Sequence, residues 1–184
     1  MGQYYYVVNI DKRQFLSPHK FGCGAKLVEF GLGSRTLSAL AILLADGNGR
    51  GGGDLLGAED LPAVGSWAGD RIVIGGDYAD KGKFVPDDLK APVGADQPTL
   101  YGLCEERFEE VSALAWEALL RDEWFKEEIK QRLVAGTLFC MLGYLREPTD
   151  DEVGGAADDP KLRGVFRKAF GADVINAALT ARRF

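Results

Sequence analysis

The sequence predicts a single α+β domain: an N-terminal antiparallel sheet carrying one packed helix, then a helical C-terminal half. Two observations carry this. Segments with strong strand preference crowd into residues 1–85, led by Tyr4-Tyr5-Tyr6-Val7-Val8. Apolar residues at helical spacing dominate 103–184, starting with Phe108, Val111, Leu114, Ala115 and Leu119. Strands first and helices afterwards favour α+β over alternating βαβ units. A chain of 184 residues suits one domain with one sizeable core, and no internal repeat or domain-sized change of composition divides it.

The first strand is expected over Gln3–Ile10, turning at Asp11-Lys12-Arg13-Gln14 into a short second strand at Phe15-Leu16. Ser17-Pro18-His19 ends that pairing, because proline has no amide to give a ladder. Ala25–Phe30, bracketed by glycines, reads as a third strand. A helix follows from Arg35 to Ala45, with Ser34 as its N-cap, Leu37, Leu40, Ala41 and Leu44 on one face, and Gly47 placed to terminate it. Residues 46–70 form a long loop, with at most a turn at Asp60-Leu61-Pro62. Ile72-Val73-Ile74 returns to strand and closes at Gly75-Gly76. Lys81–Pro98 is irregular. Cys104–Val134 is helical and breaks into two near Asp122, and Thr137–Leu145 is a further apolar helix. The acidic stretch 147–160 is a hinge candidate, and Lys161–Ala169 and Val174–Arg183 are two short helices separated at Gly171.

Composition narrows the function classes. Apolar residues make up 46% and charged residues 27%, as in ordinary soluble proteins. No apolar run approaches the roughly 18 residues that a membrane span needs. MGQYYYVVNIDKRQ lacks the features of a signal peptide, and Tyr6 stands where myristoylation requires Ser or Thr. Cys23, Cys104 and Cys140 are odd in number and widely spaced, which fits neither a zinc site nor a disulfide framework and points to a cytoplasmic setting. The net charge of −6 argues against a broad nucleic-acid-binding face. Arg163, Arg167, Lys168, Arg182 and Arg183 form the one basic cluster, read as a solvated helix face.

The stretch most suited to recognition is Asp46–Asp80. DGNGRGGGD brings main-chain amides close to any ligand, and Arg50 adds a cation for phosphate or carboxylate. It lacks the Gly-Lys-Ser/Thr ending of a P-loop. Asp46, Asn48 and Asp54 offer alternating oxygens, but Arg50 and Gly57 occupy positions where an EF-hand needs ligands. Trp67 either anchors the loop in the core or presents a stacking face. Asp70, Arg71, Asp77 and Asp80 flank the short strand, where the carboxylates serve as turn residues or converge on Mg²⁺ or Ca²⁺. An extended strand separates Asp70 from Asp77 by roughly 20 Å, so convergence needs the chain to fold back. His19 is the single histidine and stands beside no nucleophile motif.

MGQYYYVVNI, PHKFG, KLVEF, GNGRGGGDL and GSWAGDRIVIGGDYAD resemble small bacterial and phage proteins. That resemblance covers the first half and brings no activity or site residue with it.

The expectation is a soluble intracellular binding or regulatory module, without a cofactor, that recognises a protein or small-molecule partner. Its contact residues are Asn48, Arg50, Asp54, Trp67, Asp70, Arg71, Asp77 and Asp80. The competing expectation is an enzyme on a phosphate-containing or nucleotide-like ligand. There the loop amides and Arg50 hold the anion, and an aspartate acts as base or as ligand to a divalent cation.

Overall fold

A tight hairpin opens the sheet. In the computed structural model, which describes residues 2–22, 24–31, 35–46, 55, 61–155 and 158–181, β1 (Tyr5–Asn9) pairs antiparallel with β2 (Gln14–Leu16), setting Val7 opposite Leu16. The turn between them is held by Asn9, whose Oδ1 accepts from the Lys12 amide (2.9 Å). β3 (Ile72–Gly76) lies antiparallel on the other side of β1, with Val7 opposite Ile74. β4 (Glu109–Glu110) completes the order β3-β1-β2-β4.

β4 runs parallel to β2, so the sheet is mixed rather than wholly antiparallel. It also interrupts the helix expected from Cys104. The cause is that the chain changes sides of the sheet here. Phe108 is buried beneath one face and Val111 in the core on the other, and a short extended segment makes that crossing. Its amides go to the hairpin, Glu109 N to Arg13 O (2.8 Å) and Val111 N to Phe15 O (3.0 Å).

Alternation along β1 sends its side chains to two cores. Val7 joins Leu16 in the larger core, built from the helical half, while Val8 and Ile10 join Phe15, Val85, Leu100 and Leu103 in a smaller one. α1 (Leu27–Gly31) and α2 (Arg35–Leu44) follow the hairpin. The third strand expected at Ala25–Phe30 is therefore a helical turn. Ala25 reaches the sheet, accepting from the Tyr5 amide (2.9 Å). Beyond it Leu27 and Val28 are exposed, with no strand beside them among the described residues, and Glu29 folds back on the Lys26 amide (3.4 Å). A strand needs a partner; a single helical turn satisfies itself locally.

α3 (Leu100–Arg107) covers the smaller core, with Thr99 as N-cap. α4 (Ser112–Leu119) is central to the larger one, buried on nearly every side and packed between α2 and α7 (Pro160–Phe170). The break near Asp122 occurs as expected: its carboxylate accepts from the Phe125 amide (2.6 Å) and starts α5 (Glu123–Val134). α6 (Phe139–Leu145) and α8 (Ala172–Ala181) complete the bundle. Among the described residues no helix is long and apolar enough to cross a membrane.

The acidic connection before α7 is stitched at several points. Arg146 forks onto Glu152, whose carboxylate also accepts from the Thr149 amide (2.9 Å). Arg163 reaches Asp158 (2.7 Å) and Arg167 reaches Glu147 (2.5 Å). The bonds to Glu152, that from Arg146 foremost, lower its carboxyl from the ordinary 4.5 to about 2. A depressed acid stabilises the fold above its unfolded value and loses that contribution as pH falls through its folded value. Glu152→Gln is therefore expected to melt below the parent at pH 7, with the gap closing between 4.5 and about 2. Thermal melts across that range check it; a gap independent of pH sinks the assignment.

Candidate functional site

Much of the glycine-rich stretch, including Gly47, Asn48, Arg50 and Asp54, lies outside the described residues, as do Cys23, Ser34, Asp60, Arg182 and Arg183. Asp46 is described, and exposed. The segment that follows, from Leu61, folds onto the end of α2. Gly65 N donates to Ile42 O (3.0 Å) and Trp67 N to Leu43 O (2.7 Å), satisfying carbonyls that the last helical turn leaves unpaired. Gly65 has a positive φ of 70°, and a Cβ there would sit 2.6 Å from the Ala45 carbonyl oxygen. Trp67 is fully buried and donates from Nε1 to Gln14 Oε1 (2.9 Å). It anchors this loop; it offers no stacking face.

The remaining predicted residues divide between the two ends of β3. At its start, Asp70 accepts from Nδ2 of the buried Asn9 (2.8 Å) and faces Lys12 at 3.5 Å. Arg71 clasps Asp11 through its backbone amide (2.7 Å) and its Nε (2.8 Å). Hydrogen bonds from Arg71 hold the Asp11 carboxyl below the usual aspartate range, and Asp11 in turn raises Arg71. At the far end, Asp77 Oδ1 accepts from the Tyr4 amide (3.0 Å), and Asp80 faces Lys83 at 3.6 Å. The structure thus brings Asp70 and Arg71 together with the β1–β2 turn and leaves Asp77 and Asp80 beyond the opposite end of the strand. Among the described residues no group of three or more metal-ligating side chains gathers.

Two concavities border β3. A cleft of about 670 Å³ is lined by Ile10, Arg71, Val73, Phe84 and Val85. Its cations are already engaged: Arg71 with Asp11, Arg13 with Asp88, Lys90 with Asp87. An incoming anion has to displace a carboxylate to reach any of them. A groove of about 250 Å³ runs beside Val73, Gly75, Gly76, Tyr78 and Phe84.

The backbone of β3 supplies what the charged side chains do not. Ile10 N donates to Arg71 O (3.1 Å) at one end of the ladder and Asp77 N to Tyr4 O (3.0 Å) at the other. With the observed register, hydrogen-bonded pairs fall at Ile10–Arg71, Val8–Val73, Tyr6–Gly75 and Tyr4–Asp77. The amides and carbonyls of Ile72, Ile74 and Gly76 consequently point away from β1. The Gly76 carbonyl accepts from the Ala79 amide (3.1 Å). The other outward groups of these three residues have no backbone partner among the described residues.

Gly75 and Gly76 are buried, so the edge is open at Ile72–Ile74, and exposed apolar side chains stand near it. Ile74 is 45% exposed, Tyr78 66% and Phe84 54%. Phe84 also has a positive φ of 59°, a conformation that disfavours a bulky side chain and concentrates at functional positions. Ile74 and Tyr78 fall within the Asp46–Asp80 stretch but are not among its expected contact residues, and Phe84 lies beyond it. The signal available was the strand itself, an apolar triplet closed by two glycines, but its position at the sheet margin depends on what lies beside it. Other nucleophile candidates recede: burial pushes the Cys104 thiol up to about 12, far from a reactive thiolate at neutral pH. In the basic cluster, Arg163, Arg167 and Lys168 each face a carboxylate.

Comparison with protein-family models, with curated proteins and with solved structures finds no match to this chain.

Proposed function

We propose that the chain is a binding module that accepts an extended segment of a protein partner as an added strand along β3. One observation carries this reading: the outward amides and carbonyls at Ile72 and Ile74, unpaired by backbone among the described residues, on a strand that is the outer member of its sheet. Strand addition draws its affinity from such main-chain groups and its specificity from pockets for alternate side chains. The groove beside Val73 and Gly75, with Tyr78 and Phe84 in its lining, provides such a pocket. An edge with exposed apolar residues and no shielding strand is otherwise an aggregation hazard.

Ile74→Pro separates edge from fold. The Ile74 amide points outward, so proline there removes a docking donor and no bond to β1. A library of displayed short peptides selected on the native protein is expected to yield sequences rich in β-branched and aromatic residues. These should protect the amides of Ile72 and Ile74 from hydrogen exchange and lose at least about tenfold in affinity for Ile74→Pro. Selected peptides that bind both proteins equally, or protect a different surface, would overturn the reading.

A further inference from the structure

Val73, between the two outward-facing residues of β3, lines the larger of the two concavities together with Ile10, Phe84 and Val85. We infer that an added strand anchors itself in this cleft by one neutral aromatic side chain carrying a hydrogen-bond donor, a tyrosine or a tryptophan, at the position that faces Val73; the inference rests on the strand-addition reading above.

The register provides one position for such an anchor. A strand bonded to the outward groups of Ile72 and Ile74 sets one of its residues directly opposite Val73, and opposite residues share a face. The bonds of Val73 itself go to Val8 on the inner side. In an antiparallel addition the outer pair at Val73 is therefore of the non-hydrogen-bonded kind, in which side chains approach most closely.

The wall of the cleft favours a ring. Among the described residues two non-glycine residues take a positive φ, Arg13 at 55° and Phe84 at 59°, and both line this cleft. Arg13 belongs to the β1–β2 turn, where a left-handed residue commonly closes the loop. For the bulky Phe84 that backbone is costly, and such residues concentrate at ligand clamps. Its ring is half exposed and gives an incoming aromatic a partner. At about 670 Å³ the cleft has the volume of a site for a whole small ligand, so a short aliphatic anchor leaves most of it unfilled.

The rim sets the charge. Asp11, Asp88 and Asp87 are matched there by Arg71, Arg13 and Lys90 at 2.5–2.6 Å. A charged anchor has to break one of these pairs, whereas a neutral one leaves all three in place. The carboxylates have further lone pairs for a phenol O–H or an indole N–H.

Peptides selected on the native protein are expected to share a tyrosine or tryptophan at one fixed position. Replacing it with alanine, glutamate or arginine in the synthetic peptide should each weaken binding at least about tenfold. Phe84→Gly is expected to keep the fold, because glycine adopts that backbone without steric cost, and to shrink the aromatic's advantage over alanine to about threefold or less. Selected peptides with no shared aromatic, or an aromatic worth as much on Phe84→Gly as on the native protein, would overturn the anchor. If those same peptides are lost on Ile74→Pro, the edge stands as a docking strand and only its anchor falls; peptides indifferent to Ile74→Pro sink both.

Discussion

Lys20→Met is expected to destabilise the protein by about 3–5 kcal/mol, the range for removing one member of a buried ion group. Nζ of Lys20 lies 2.8 Å from Glu110 and 2.7 Å from Asp159, and the three side chains are only 9–20% exposed. Burial opposes the ammonium charge, but the two carboxylates outweigh it and leave the lysine raised above its ordinary value. A raised base contributes its stabilisation fully below its unfolded value of 10.5 and loses it as pH climbs through the folded value. At neutral pH the whole contribution is therefore in place.

Methionine preserves the stem and removes the charge, stranding two carboxylates in a nearly dry pocket. Combining Lys20→Met with Glu110→Gln and Asp159→Asn should recover part of the loss, since none of the three charges then remains. Neither position requires an acid for its other bonds. The Ser112 amide donates to Glu110 Oε1 (2.9 Å) and the Leu162 amide to Asp159 Oδ1 (2.9 Å), and a side-chain amide oxygen accepts equally well at both places. Urea denaturation at pH 7 measures the series. A single-variant loss below about 1 kcal/mol would mean the group behaves as a solvated surface pair.

Trp116→Ala should cost a similar 3–5 kcal/mol, roughly what deleting a core tryptophan removes. The indole is fully buried, stacks on Phe21 at 5.3 Å and meets Phe166 edge-on at 5.0 Å. Its Nε1 donates to the Lys20 carbonyl (2.8 Å), which ties α4 to the segment carrying the buried lysine. Trp116→Phe keeps most of the apolar contact but orphans that carbonyl, so it isolates a polar cost of about 1–3 kcal/mol. Equal losses in the two variants would show that the hydrogen bond, not the packing, dominates. An unchanged denaturant slope is required for either number to stand as a native-state effect.

Both predictions turn on how the two halves of the chain meet, which local sequence does not reveal. The α+β class was legible because Tyr4–Val8 and Ile72–Ile74 carry strong strand preference and because the stripe from Phe108 to Leu133 has helical period. The interruption at Asp122 was legible as well, aspartate being a good N-cap. Residues 25–30 differ from expectation because strand preference says nothing about whether a neighbouring strand has room. Glu109–Glu110 escapes detection because a two-residue strand leaves no period; it exists only to carry the chain past the sheet.

The candidate site shows the same division. Asp70, Arg71, Asp77 and Asp80 stand out in the sequence as an unusual cluster, and the structure engages them at the two ends of one strand. Trp67 is open to two readings and proves to be an anchor. The open edge was invisible, because an unpaired backbone amide has no residue-type signature.

The order in which the sheet's strands occur along the chain has a consequence for synthesis. β2 follows β1 within a few residues, but β3 lies some seventy residues downstream and β4 about a hundred. At translation rates of roughly 5–20 residues per second, β1 waits about 4–14 s for β3 after leaving the ribosome. Through that interval the β1 side of the Tyr5–Leu16 hairpin that will receive β3 has no partner strand. Slowing the emergence of residues 72–76 is therefore expected to lower the yield of folded protein, by prolonging the exposure of an unpaired strand margin.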